Sequence, residues 1–284
     1  MRALRITVFL GFLMGTVITQ SADQPKMKEL QSFYTLRIET HNVAYELLIN
    51  DIPVFSQTEE ASFSLSNYPI NPWLINGRNT FRVHILPVET SNTDPNDTKS
   101  YEVVISGPLD EGMTGNPIAH AEGIVPDLQS HPSEERAFTI ALAYPQPPWA
   151  ESESIGKDAG TQKKILDKYR EFYRLLETRD LDGIMKFSEA KIKEYSKSMD
   201  SPDFASAMRD SFQMEFDTPS NSLIGIDVQE VNGLRYEYYY GDRLVSIKND
   251  EGRSIIMYYN EEDGVTTSYN LFFYFDGEDF VLIL

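Results

Sequence analysis

The sequence predicts an α+β protein with two domains: an N-terminal antiparallel β-sandwich, then helices packed on a curved antiparallel sheet. Alternation of apolar and polar residues dominates residues 30–143, a helical period replaces it after residue 160, and alternation returns from Ser222 to Leu284. The predicted segments are a signal peptide (1–22), a β-sandwich domain (23–143), a proline-rich linker (144–160) and an α+β domain (161–284).

The N-terminus has the pattern of a cleaved signal peptide. Basic Met-Arg-Ala-Leu-Arg precedes an apolar run, Ile6–Ile18, which is shorter than the roughly 20 residues that span a bilayer. Small residues follow, and cleavage near Ser21 or Ala22 is expected. No Cys is present for a lipid anchor, and no later segment is long and apolar enough to cross a membrane. The pattern predicts bacterial export to the periplasm or the medium.

Composition narrows the class of function. The 284 residues carry 25 Lys and Arg against 44 Asp and Glu, a net charge of -19. Nucleic-acid binding is disfavoured, because neutralising phosphates requires clustered basic side chains. Without Cys, the chain has no disulfides, thiol nucleophile or thiolate metal site. A hydrophobic content of 41% indicates a globular protein.

Short strands are predicted along the first domain. Tyr34–Glu39 alternates, and Ala44–Ile49 and Ile52–Phe55 flank Asn50-Asp51 as a hairpin. Further alternating runs lie at residues 63–65, 80–86, 101–106 and 138–143. Much of Gly107–Glu135, rich in Gly, Pro and acids, is predicted as loop. About seven strands separated by turns resemble an immunoglobulin-like β-sandwich.

After residue 143 the sequence predicts a linker and then three helices. Prolines 145, 147 and 148 predict a semi-rigid linker with a boundary near residue 150. Helical spacing predicts one helix burying residues between Ile165 and Leu176 and a second between Leu181 and Met199. Ser201-Pro202-Asp203 predicts the start of a third helix, with Ser201 as its N-cap. Phe204, Met208 and Phe212 would form the buried stripe of this helix.

The C-terminal strands form a predicted meander. Ile224, Ile226 and Val228 alternate before an Asn232-Gly233 turn. The remaining predicted strands are 234–240, 244–248, 254–259, 268–275 and 280–284. Three helices followed by a curled antiparallel meander resemble the NTF2-like superfamily, and a cystatin-like arrangement gives a similar pattern. The resemblance covers roughly residues 160–284 and rests on element order. It implies helices packed into the concave side of a bent sheet.

Catalytic constellations are missing from the sequence. The four histidines are His41, His84, His120 and His131, and their spacing fits no metal motif. The predicted second domain has neither His nor Cys, which excludes Ser-His and Cys-His nucleophiles there. With 44 carboxylates, close pairs are expected throughout the chain, so no pair identifies a two-carboxylate glycosidase site. No EF-hand spacing supports calcium binding at the acidic turns. We therefore predict no catalytic residue, no cofactor and no metal site.

Tyrosines and acids of the second domain are the candidate contact residues. Alternation places Tyr236, Tyr238 and Tyr240 on one face of a strand and Tyr239 on the other. Core packing and a contact surface are both open interpretations. The predicted contact set is Tyr236, Tyr238, Tyr239, Tyr240, Asp242, Asp250, Glu251, Glu261 and Glu262.

The predicted function is an exported, non-enzymatic module that binds a protein partner, which the acidic surface suggests is basic. Its most concrete form is a periplasmic immunity-type inhibitor of a toxin or secreted enzyme. One alternative is a small-ligand carrier or isomerase-like enzyme, in which the C-terminal cone holds a buried acid beside a Tyr hydroxyl, as the NTF2-like resemblance implies for ketosteroid isomerases. Asp227 and Glu237 alternate away from apolar faces, which disfavours it. The other alternative is an envelope structural or assembly factor.

Overall fold

The computed structural model describes residues 7–9, 33–87, 98–109, 115–125, 132–225, 233–262 and 266–283. The strands are β1 (Thr7–Phe9), β2 (Thr35–Ile49), β3 (Ile52–Pro69), β4 (Gly77–Ile85), β5 (Ser100–Leu109), β6 (Gly115–Ile124), β7 (Ser133–Ile140), β8 (Asn221–Gly225), β9 (Arg235–Tyr239), β10 (Leu244–Lys248), β11 (Ile256–Asn260), β12 (Thr266–Ser268), β13 (Phe273–Phe275) and β14 (Phe280–Leu282). The helices are α1 (Pro148–Glu151), α2 (Ala159–Glu177), α3 (Leu181–Phe187), α4 (Glu189–Ser198) and α5 (Phe204–Asp217), with a 3-10 turn at Asn71–Trp73. The predicted α+β class and the antiparallel sheets are confirmed.

The first six strands after β1 form one antiparallel sheet. Its order is β6-β5-β2-β4-β7, and β3 pairs with β2. Because β3 follows β2 over its whole length, while β5 pairs with Thr35–His41 and β4 with Tyr45–Ile49, β4 and β5 must share the other edge of β2. The sequence predicts a two-sheet sandwich here, whereas the hydrogen bonds join all six described strands into a single sheet.

The pairing of β2 with β3 is irregular near the middle of both strands. Asn42 has a φ of 51°, and the β2–β3 register shifts on both sides of Val43. Bulges bend strands and increase their twist, so a local bend of the β2–β3 pair is expected near Val43. These interruptions explain why the sequence pattern indicates many short strands.

Helix α2 follows its predicted stripe closely. Asp158 caps it by accepting hydrogen bonds from the N–H groups of Gly160 and Thr161. Its buried side chains include Ile165, Tyr169 and Phe172. The second predicted helix is divided at Ser188 into α3 and α4.

The predicted N-cap at Ser201 is wrong. Helix α5 begins at Phe204, and Asp203 occupies the N-cap position. The N–H of Phe204 donates to the carbonyl of Ser201 at 3.2 Å, so Ser201-Pro202-Asp203 forms a turn ahead of the helix. The predicted stripe of Phe204, Met208 and Phe212 is buried, and Phe216 extends it by another turn.

The C-terminal strands form two four-stranded sheets, where a single meander is predicted. Their orders are β1-β12-β11-β8 and β14-β13-β10-β9, and a bridge between Lys248 and Ser254 connects β10 to the chain entering β11. All pairs are antiparallel except β1 with β12, and β1 lies in the predicted signal peptide. The other residues of the predicted signal peptide lie outside the described residues, and so do Ile226, Val228 and Asn232 of the predicted meander.

The predicted linker is packed against the folded chain. Trp149 is 0% exposed, and Ile155 is buried. The N–H of Ile155 donates to the carbonyl of Asp242 at 2.7 Å, and the Arg243 guanidinium donates to the carbonyl of Ala150 at 2.6 Å. The buried apolar residues form one cluster that runs from Tyr34 to Ile283. Residues 148–155 are therefore part of the core packing.

Candidate functional site

The four predicted contact tyrosines are half-buried and each has a contact inside the chain. Strand β9 lies at a sheet edge and is paired with β10. The Tyr239 hydroxyl donates to Glu237 Oε2 at 2.6 Å, and its ring packs edge-on against Phe272. Tyr240 has a φ of 48°, so it leaves the strand, and its ring meets Trp149 at a centroid distance of 5.1 Å. The alternation predicted for Tyr240 therefore ends at Tyr239.

Tyr236 and Tyr238 pack in the same region. The Lys157 ammonium lies 4.8 Å from the Tyr238 ring centroid, and the Tyr238 hydroxyl is buried without a hydrogen-bond partner among the described residues. Burial raises the pKa of the Tyr236 hydroxyl. These contacts favour the packing interpretation, because the rings hold the segment around Trp149 and Lys157 in place.

The predicted acidic contact residues are divided among three turns. Asp242 lies between β9 and β10 and pairs with Lys157 at 2.9 Å. Asp250 and Glu251 are exposed in the turn before β11, and Glu261 and Glu262 are exposed just after it. Because these two pairs lie at opposite ends of β11, the structure does not bring all nine predicted residues into one patch.

A narrow hollow lies between the helices and the second half of the chain. Its walls come from α2, α4, α5 and the segment from Thr267 to Leu282. Phe172, Met208 and Phe212 are among its lining residues, and its volume is about 40 Å³. A water molecule needs roughly 10–15 Å³ by this measure. The hollow therefore fits a few water-sized groups, and a steroid-sized ligand is excluded from it in this conformation.

Polar groups nevertheless converge on this hollow. The Tyr269 hydroxyl donates to the Glu215 carboxylate, and burial raises the pKa of both groups. Lys191 lines the same hollow, and burial lowers its pKa to about 8. The fully buried Ser188 hydroxyl has no hydrogen-bond partner among the described residues. An acid beside a Tyr hydroxyl and a lysine is a group suited to proton transfer.

Sequence reasoning missed Glu215 because it sought the acid on strands. Asp227 lies outside the described residues, and Glu237 acts elsewhere, whereas Glu215 comes from α5. One signal was available: Glu215 follows Met208 by two helical turns, which places it at the border of the apolar stripe.

A second polar cluster lies where the two halves of the chain meet. Lys248 is buried, its ammonium donates to Asn270 Oδ1, and burial lowers its pKa to about 8. Glu46, on β2, has a raised pKa, caused first by burial and then by the charge of Glu237, while Lys248 opposes the rise.

The outer face of β2, β5 and β6 carries a partly exposed cluster of charged side chains. The strand register aligns Glu39, Glu102 and Glu122 in one cross-strand row. Arg37 donates two hydrogen bonds of 2.8 Å to the Glu102 carboxylate and holds its pKa below the usual value. His120 Nε2 lies 3.4 Å from Glu102 Oε1 and 3.8 Å from Glu122 Oε2.

Exposed apolar side chains border this row. Ile124 is 75% exposed and Ile118 is 39% exposed, and alternation places both on the same face of β6 as His120 and Glu122. A shallow groove of about 560 Å³ runs between Glu39, His41 and Ile124. The Gly, Pro and acidic residues of this segment predict a loop, and that prediction is wrong for residues 115–124, which form β6. We call this surface the outer face, defined by Arg37, Glu39, His41, Glu102, Ile118, His120, Glu122 and Ile124.

The comparisons with known proteins add no relatives. No protein-family model matches the sequence, and no curated protein or solved structure matches it. The resemblance to NTF2-like, cystatin-like and immunoglobulin-like folds thus rests on element order. Within the described ranges, no helix has both the length and the apolar character needed to span a membrane.

Proposed function

We propose that this chain is an exported, non-enzymatic protein that binds a basic protein partner through the outer face. The observation that carries the proposal is the exposed Glu39–Glu102–Glu122 row beside Ile124, which has the highest exposure among large apolar side chains in the described part. An apolar anchor inside a charged rim supplies affinity, while the acidic field accelerates encounter with a positive surface.

The most concrete form of the proposal is a periplasmic or secreted immunity-type inhibitor of a toxin or secreted enzyme. Export with cleavage of residues 1–22, which would also remove β1, is supported by the basic start, the apolar run and the small residues that follow. Inhibition by covering a partner requires only a complementary surface, so it agrees with a sequence that offers no nucleophile or metal motif.

A two-domain layout belongs to this proposal. Strands β2–β7 pair only among themselves, and β8–β14 pair with one another and with β1. Hydrogen-bonded ladders therefore separate along the chain between Ile140 and Asn221, even though side chains pack across the junction. In this layout the first sheet presents the docking surface, and the α+β part supports it.

The test is capture of the partner by matched variants. Wild-type protein, an Ile124→Asp/Glu39→Lys variant and an Ile224→Asp control are immobilised and exposed to envelope extract and culture medium of the source organism. Ile224 is a suitable control because it is 40% exposed on β8, away from the first sheet. We expect one basic protein to be retained by the wild type and the control, lost by the double variant, and released by salt.

Equal capture by all three proteins would contradict docking through the outer face. Retention of a multi-protein envelope complex in place of one soluble basic protein would favour an assembly factor.

A second candidate function follows from the Glu215–Tyr269 pair. It is the binding of a small polar ligand in the hollow, whose volume limits the ligand to a few heavy atoms. Titration with acetate, followed by NMR of the backbone amides, tests it: shifts at Ser188 and Tyr269 that disappear in Lys191→Met would support binding. Unchanged spectra at saturating acetate would remove a carboxylate ligand from consideration.

A further inference from the structure

Three side chains on the outer face point their potential metal ligands at one another. Glu102, His120 and Glu122 each offer one ligand atom, and these atoms all lie within 4.8 Å of one another. Zinc bonds of about 2.0–2.1 Å in a tetrahedral site place neighbouring ligand atoms roughly 3.4 Å apart. The His120 Nε2 distances of 3.4 Å to Glu102 and 3.8 Å to Glu122 are close to that separation.

Strand pairing alone brings the three ligand side chains together, without a bound ion. Glu102 and Glu122 are direct partners in the β5–β6 register, and His120 precedes Glu122 by two residues on the same face of β6. All three ligands are therefore supplied by paired strands. A site built on strands is held more precisely than one built on loops.

Charge on the same face favours a divalent cation. Carboxylates directly opposite one another on neighbouring strands repel, and this row contains Glu39, Glu102 and Glu122. The Arg37 guanidinium lies 2.8 Å from Glu102 and 3.8 Å from Glu39, and the His41 imidazole lies 3.3 Å from Glu39. When both nearby imidazoles are neutral, as metal binding requires of His120, three carboxylates against one guanidinium leave two negative charges, which one divalent ion balances.

Arg37 leaves Glu102 able to bind a metal. A carboxylate has about four lone-pair positions, and Arg37 uses two of them. Hydrogen-bond donors behind a ligating carboxylate commonly fix its orientation.

We propose that Glu102, His120 and Glu122 form a Zn²⁺ site on the outer face. One imidazole with two carboxylates suits zinc, whereas Mg²⁺ and Ca²⁺ prefer all-oxygen sites. The site does not depend on the proposed partner, since zinc binding is measured on the isolated protein.

The experiment titrates ZnCl₂, and separately MgCl₂, into EDTA-treated full-chain protein in a calorimeter. We expect one zinc per chain, weakened at least about tenfold in His120→Ala and in Glu122→Gln. The control His84→Ala removes an imidazole from β4, outside the cluster, and should bind zinc as the wild type does. Both test positions are on the exposed surface, with side chains 44% and 71% accessible, so the variants should fold.

X-ray absorption of the zinc-loaded protein gives a second readout. We expect imidazole scattering in the wild type and its loss in His120→Ala. Absence of zinc uptake by the wild type, or unchanged affinity in both variants, would overturn the proposal. Equal affinity for MgCl₂ would overturn the assignment to zinc.

Discussion

Asn71 donates a hydrogen bond from Nδ2 to the carbonyl oxygen of Ser198, 3.0 Å away. Its Oδ1 accepts the N–H of Tyr34 at 2.9 Å, and its carbonyl accepts the Tyr144 hydroxyl at 2.8 Å. Asn71 is 2% exposed. One buried residue thus connects the start of the first sheet, the proline-rich segment and the end of α4.

Replacing Asn71 should destabilise the whole protein. Asn71→Ala leaves the Tyr34 N–H and the Ser198 carbonyl buried without these partners, at about 1–3 kcal/mol each. We expect the free energy of unfolding to fall by about 2–4 kcal/mol. Urea unfolding followed by both Trp fluorescence and far-UV circular dichroism measures it, with the exposed Asn76→Ala as control. We expect one coincident transition, and two separate wild-type transitions would show that the halves unfold independently.

The sequence predicts α2 well and β6 poorly, for reasons that lie in their residues. In α2, apolar side chains repeat at the helical period, and packing agrees with that local preference. In β6, the start Gly115-Asn116-Pro117 resembles a loop, yet a proline is tolerated because β6 is an edge strand. Strand pairing, which sequence does not reveal, decides that case.

Sites assembled across the chain are harder to predict than elements. Glu215 and Tyr269 are separated by 54 positions and come from a helix and from the segment after β12. Likewise, the Glu102–Glu122 row exists only because of the β5–β6 register. Local periodicity shows which face a residue occupies, but it does not show which distant residue lies opposite.

Trp149 distinguishes a packed segment from a free linker. Its side chain is completely buried, and its ring packs edge-on against Tyr240. Trp149→Ala should lower the free energy of unfolding by about 3–5 kcal/mol, because it leaves a large cavity. The same variant should be cleaved faster by protease near residues 151–158. Stability and cleavage equal to those of the wild type would indicate that residues 144–160 act as a linker.

Gly225 permits a close approach between α2 and β8. A Cβ atom at this position would lie 2.2 Å from the Tyr173 ring. Gly225→Ala should therefore lower the free energy of unfolding by about 1–3 kcal/mol through overpacking. Chemical denaturation measures the loss. The double variant Gly225→Ala/Tyr173→Ala should lose less free energy of unfolding than the sum of the losses in the two single variants. Strict additivity would mean that the two residues do not interact.

Burial of Lys248 gives stability a defined dependence on pH. Its pKa is lowered to about 8 in the folded protein, whereas an unfolded lysine titrates near 10.4. Between these values the unfolded chain binds more protons, so stability rises with pH. Buried tyrosines act in the opposite direction above about pH 10, because burial raises the pKa of Tyr45 and Tyr169 above that of an unfolded tyrosine. The lysine effect is therefore best observed between pH 8 and pH 9.5.

In that window the wild-type free energy of unfolding should increase, with Lys248 contributing about 1–2 kcal/mol. Lys248→Met should remove this share of the slope, whatever its effect at pH 7, because methionine has no proton to lose. Urea unfolding at pH 8.0, 8.75 and 9.5 measures the slope, and Lys163→Met, at an exposed position on α2, is the control. Lys191, whose pKa is also lowered to about 8, should account for part of the remaining rise. A slope that is identical in the wild type and Lys248→Met would show that the Lys248 ammonium is not desolvated at the junction.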